Sequence, residues 1–146
     1  MRALLIIFCF LSFSSFAEAI DIDIKTKEWK KLDFPNRFPQ TFFVSNKLLP
    51  MYFGTGENTS QFNQFLVRLN ESKPVIDLDE DDIEKIKYMM QVIMSRIKNN
   101  KMASDKNYLI NISVDKLFEC QPCTNQTEHI KQLNLKDVNV INIYLI

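Results

Sequence analysis

The chain has 146 residues, with 18 basic and 18 acidic side chains. A surface so balanced offers no basic footprint for nucleic acid or for an anionic membrane. Two glycines, five prolines and 46% apolar residues exclude a linker-rich or disordered polypeptide and leave enough chain for one real core.

The N-terminus reads as an export signal. Met1-Arg2 is a short basic start, Ala3 to Phe13 an apolar run, and Ala17-Glu18-Ala19 places small residues where a signal peptidase cuts. Cleavage after Ala19 leaves 127 of the 146 residues as a single domain, 20–146. The apolar run is short for a bilayer span, and no later stretch reaches the ~20 apolar residues of a transmembrane helix, so no membrane insertion is expected after cleavage. Cys9 departs with the signal, which leaves Cys120 and Cys123 as an even pair in an oxidising compartment.

Ile20 to Lys25 alternates Ile with Asp and suits a short strand or extended arm, and Thr26 to Leu32, with Trp29 and Leu32 among lysines, suits a helical turn. Thr41 to Val44 and Leu48 to Phe53 are β-prone runs around the turn chemistry of Ser45-Asn46-Lys47, which predicts a hairpin. Pro50 marks its second strand as an edge or a bulge. After Gly54-Thr55-Gly56, Thr59 or Ser60 can cap a helix carrying Phe62, Phe65, Leu66 and Leu69 at helical spacing. Val75-Ile76 with Leu78 is a short strand candidate.

The next helix has the strongest signals. Asp79, Glu80, Asp81 and Asp82 crowd its start, Arg96, Lys98 and Lys101 lie near its end, and Ile83, Ile86, Met90, Ile93 and Ile97 form its core stripe. A strand follows in the apolar stretch Tyr108 to Phe118, with Tyr108, Ile110, Ile112 and Val114 alternating against Asn111, Ser113 and Asp115. Cys120-Gln121-Pro122-Cys123 comes next, then a helix-compatible stretch from Thr124 to Leu135 and a last strand from Val138 to Ile146.

A Cys-x-x-Cys between a strand and a helix is where a thiol becomes reactive, because the open N–H groups and dipole of a helix start stabilise a thiolate. A disulfide across so short a loop constrains little unfolded-chain entropy. Two readings therefore stand: disulfide exchange, or a permanent local disulfide. No metal site is expected, since the pair and the lone His129 lack a fourth ligand at a recognised spacing. Met89, Met90, Met94 and Met102 are expected to fill the core rather than bind copper. Asp79 to Asp82 lacks the ligand alternation and glycine of a calcium loop, and helix-start electrostatics accounts for it.

From Val75 to Ile146 the order strand, helix, strand, Cys-x-x-Cys, helix, strand resembles the first part of the thioredoxin fold, and Pro122 before the second cysteine is shared with thioredoxin itself. The missing hairpin and closing helix lie upstream. Arg37 to Leu49, with Phe38-Pro39 before Gln40-Thr41-Phe42-Phe43, is similar to the cis-proline hairpin of thioredoxin-like and Dsb-type proteins, and Gly54 to Leu69 is similar to the end of that hairpin and the closing helix. The resemblance implies an α/β fold with a thioredoxin-like central sheet flanked by helices, its elements circularly permuted. The cis-proline hairpin and closing helix come first, and strand-helix-strand-CxxC-helix-strand second. Surface ends make such a cut tolerable.

By this resemblance Cys120 is the exchanging sulfur and Cys123 the resolving thiol one turn deeper, with no cofactor. Phe38, Pro39, Gln121 and Pro122 adjoin the substrate. Pro39, if cis, presents neighbouring backbone to an extended substrate strand. The chain departs from the family at Glu119, where thioredoxin has tryptophan and where a carboxylate opposes thiolate formation. It departs again beneath the disulfide, where the family's acidic residue corresponds to Val114 and Asp115 is expected to face the other way. Two functions follow. One is a periplasmic thiol-disulfide oxidoreductase or isomerase acting on exported proteins. The other is a non-catalytic periplasmic adaptor with a structural disulfide that binds a component of an envelope machine for pilus biogenesis, conjugation or secretion.

Overall fold

Strict alternation of side chains about a sheet explains most of the architecture. The computed structural model describes residues 19–56, 78–97, 102, 105–133, 135 and 137–146. The export segment with Cys9, the helix read through Phe62 to Leu69 and the strand candidate Val75-Ile76 lie outside these residues.

Among these described residues five strands form one mixed sheet. They are β1 (Ile20–Ile24), β2 (Gln40–Val44), β3 (Pro50–Thr55), β4 (Asn107–Ser113) and β5 (Val138–Leu145), in the order β1-β5-β4-β2-β3. β1, β5 and β4 run parallel, while β2 pairs antiparallel with both β4 and β3. The β2–β3 hairpin carries a register shift between Phe43 and Val44, where Val44 stands opposite Pro50 on the edge strand. A proline tolerates that position because an edge strand has no neighbour needing its N–H. β3 continues through Gly54 to Thr55, beyond the expected Phe53.

Among the described residues three helices flank the sheet: α1 (Thr26–Trp29, continued by a 3-10 turn to Leu32), α2 (Glu80–Arg96) and α3 (Gln121–Gln132). Alternate residues of the central strands send Phe42, Ile110, Ile112, Ile141 and Ile143 into a core with Trp29 and with Ile86, Met89, Met90 and Ile93 of α2. The opposite alternation sends Phe43, Leu109, Val138 and Val140 into a second core with Ile130 of α3. Met94 and Met102 are partly buried against the first core, so the described methionines of this region are packing residues.

Asp79 caps α2, its Oδ1 accepting from the Asp82 N–H at 2.7 Å. Leu78, expected to end a strand, instead precedes this cap and packs partly buried against the core. At the other end Arg96 reaches both carboxylate oxygens of Glu28 at 2.8 and 2.7 Å, joining α2 to α1. No helix among the described residues is long and apolar enough to cross a membrane.

Candidate redox site

The site forms where β4 stops. The strand ends at Ser113, earlier than the expected Phe118. Val114 still points into the apolar core, and its carbonyl then accepts from the N–H groups of Leu117 at 2.8 Å and Phe118 at 3.2 Å. That turn ends the period-two alternation. The Ser113 hydroxyl accepts from the Asp115 N–H at 3.1 Å and steadies the turn.

α3 begins straight after, three residues before the expected Thr124 and ending at Gln132 rather than Leu135. Cys120 occupies the capping position, its carbonyl accepting from the N–H groups of Cys123 at 3.0 Å and Thr124 at 3.1 Å. Pro122 sits within the first turn, where its missing N–H costs no helical hydrogen bond. The first turn holds no acidic residue, so nothing inside it offsets the partial positive charge of the helix start. Glu119, just outside, is exposed. Cys120 and Cys123 are joined in a disulfide with Cα atoms 5.3 Å apart. Cys120 is half-buried and Cys123 is fully buried.

Beside this disulfide stands the acidic residue that the sequence pattern places on the far side. A carboxylate oxygen of Asp115 and both sulfurs lie within 4.8 Å of one another. The expectation that Asp115 faces away is therefore wrong. It assumed strand alternation at a residue that already belongs to the turn. The Oδ1 of Asp115 is buried and has no hydrogen-bond partner among the described residues.

The other predicted site residues divide into two groups. Gln121 and Pro122 are exposed on the first turn of α3, where the Gln121 amide donates to Asn125 Oδ1 at 2.8 Å. The Phe38–Pro39 peptide is cis. Phe38 is half-buried and, like Cys120, packs against the first core, whereas Pro39 is buried. Because Gln40 pairs with Ile112 in antiparallel register, the start of β2 and the cysteine end of β4 share one end of the sheet. Pro39 lacks an N–H, and its carbonyl accepts from Gly56 at 2.8 Å. His129 is half-buried on α3.

Under α3 runs a polar row not anticipated from the sequence. Thr41, Asn111, Asn142 and Asp21 are successive register partners across four strands. Asn142 donates to Asp21 Oδ1 at 2.9 Å, and Asn111 to Asn142 Oδ1 at 3.4 Å and Thr127 Oγ1 at 3.2 Å. Gln126 donates to Thr41 Oγ1 at 3.1 Å. Gln126 and Thr127 belong to α3, so these bonds fix the helix, and with it the cysteines, over the sheet. Alternation marks Asn111 and Asn142 as the more polar side of their strands. It does not show that a helix made of polar residues covers them.

Compared with protein-family models, with curated proteins and with solved structures, the chain gives no match. The reading of the site rests on its chemistry. A disulfide at a helix start, one cysteine half-buried, the other fully buried and a carboxylate near both, can exchange with an external thiol or disulfide and has a nearby base for the proton.

Proposed function

We propose that this protein is an exported, periplasmic thiol-disulfide oxidoreductase with a circularly permuted thioredoxin-like domain, acting on exported proteins through Cys120 and Cys123. The observation that carries the reading is the unequal burial of two bonded cysteines at a helix start, with the Asp115 carboxylate beside them. The permuted fold draws support from the antiparallel β2–β3 hairpin entered through Phe38-Pro39, and from the strand-Cys pair-helix-strand order of β4, α3 and β5.

In the reducing direction the Cys120 thiolate attacks a substrate disulfide. One substrate sulfur leaves as thiolate and the other becomes bonded to Cys120. Cys123 then gives its proton to Asp115 and attacks Cys120 Sγ, so the second substrate sulfur leaves, the substrate has gained two electrons and the Cys120–Cys123 bond has formed. Oxidation of a substrate dithiol is the same sequence reversed. The cysteine end of α3 is rimmed by Leu117 and Phe118, both largely exposed, and apolar side chains there suit contact with an unfolded chain. The expected outcome is that the protein turns over a model protein disulfide with a dithiol reductant, and that Cys120→Ser abolishes turnover while Cys123→Ser accumulates mixed disulfide. Full biological activity in the Cys120→Ser, Cys123→Ser double variant contradicts the proposal.

Leu117 and Phe118 also favour a second reading, an envelope adaptor that docks through this rim and keeps a structural disulfide. It predicts stable crosslinking to one partner and loss of that partner on Phe118→Ser, with the double cysteine variant still bound.

A further inference from the structure

The group of donors at the start of α3 is larger than the cysteine pair. One Asp115 oxygen and both sulfurs lie within 4.8 Å of one another, and Asp115 Oδ1 is buried with no donor facing it among the described residues. A carboxylate oxygen withdrawn from water without a hydrogen bond is costly and calls for a proton or a cation. We infer that the reduced pair, Cys120 and Cys123, together with Asp115, forms a site for a thiophilic divalent cation, for which zinc is the natural probe.

The geometry needs only side-chain movement. Tetrahedral zinc with Zn–S bonds near 2.3 Å sets its sulfurs about 3.8 Å apart. Cys120 and Cys123 have Cα atoms 5.3 Å apart across one helical turn, so rotation of the cysteine side chains opens the sulfurs to that distance with the backbone in place. Cys-x-x-Cys is itself a zinc-ligand spacing. The structure adds the third donor absent from the sequence pattern, where only His129 was available. Two thiolates and a carboxylate balance a divalent charge with one negative charge left over, which the start of α3 favours. Three protein ligands leave a fourth position open to water or to a substrate thiolate.

Cation and disulfide exclude each other. A dithiol reductant supplies two electrons and two protons to open the Cys120–Cys123 bond. Zinc then displaces the two thiol protons as it binds, and a substrate disulfide, taking two electrons from the thiolates and two protons from solvent to become two thiols, restores the Cys120–Cys123 bond and expels the ion. Metal capture would therefore hold the pair in its reduced form and switch exchange off. The inference rests on the proposed function only in requiring a reducible pair.

The test is titration of the full mature chain, reduced and then freed of reductant under anaerobic conditions, with zinc alone against a chromophoric chelator. The expected result is one zinc per reduced chain with release of up to two protons. No zinc should bind to the oxidised protein or to Cys120→Ser. Asp115→Asn should bind roughly tenfold more weakly or worse, since even the loss of residues behind a ligand costs 10- to 100-fold, and Asp115→His, which keeps a donor, should recover much of that loss. Absence of zinc binding by the reduced, folded wild-type chain overturns the inference. So does equal affinity in Asp115→Asn, whether that variant is folded or not, because it would assign binding to the dithiol alone. Disulfide turnover measured with chelator present separates the two proposals: turnover without zinc binding removes only the metal site, and zinc binding without turnover removes only the exchange activity.

Discussion

At the residue scale the decisive side chain is Asp115. Its Oδ1 is buried with no hydrogen-bond partner among the described residues, and one of its carboxylate oxygens lies within 4.8 Å of both sulfurs; a buried carboxylate oxygen without a partner is unfavourable for the folded state. In the proposed exchange the same placement supplies a proton acceptor for Cys123. Asp115→Asn should consequently leave the oxidised protein as stable as wild type or more so in thermal melts at neutral pH. It should also slow resolution of the mixed disulfide by about tenfold or more in rapid-quench trapping, as removal of a positioned base does. A variant that is less stable yet exchanges normally would show that the carboxylate serves the fold instead. Asp79, by contrast, is a structural residue. Its side chain caps α2, and Asp79→Ala should cost about 1 kcal/mol in urea denaturation.

At the scale of elements, the two long helices are held by different physics. α2 docks through Ile86, Met89, Met90 and Ile93, all fully buried, and Ile86→Ala should lower unfolding free energy by about 2–5 kcal/mol. α3 covers a polar row instead. Asn111→Ala removes the donor to Thr127 and Asn142 and should cost about 1–3 kcal/mol, with faster reduction of the disulfide because the helix that carries it loses a tie to the sheet. The contrast explains what could be read from the sequence. α2 was legible because its apolar period, acidic start and cap are all local, and the hairpin was legible through β-prone runs around Ser45-Asn46-Lys47. The helix and strand read between Gly56 and Leu78 lie largely outside the described residues. Asp115 was misread because strand alternation was carried one residue into a turn whose hydrogen bonds to Val114 are not encoded in any periodic pattern. The Thr41-Asn111-Asn142-Asp21 row was missed because register between distant strands is not visible in any one of them.

At the scale of the whole molecule, the central strands pack cores on both faces of the sheet, with the phenols of Tyr52 and Tyr108 buried and that of Tyr144 half-buried. Burial raises the pKa of Tyr52, Tyr108 and Tyr144 above the ordinary 10.0, and for Tyr144 the nearby Asp21 adds to the effect. The folded state thus holds these protons more tightly than the unfolded one. The resulting stability is present below pH 10.0 and is lost as pH rises through the folded-state values. Thermal stability should therefore fall steeply above that pH. Native phenolate absorbance should lag behind that of the urea-unfolded chain, and coincident titrations would contradict the buried placement of these residues.

The central claim is that the Cys120–Cys123 bond is a working disulfide, and its reduction potential tests this most directly. The protein is equilibrated with glutathione or dithiothreitol buffers and its thiols are counted. A potential between roughly −120 and −270 mV, the range of exchange proteins, is the result predicted here, and its position in that range gives the direction of electron flow. A potential below about −300 mV, typical of structural disulfides, would contradict it.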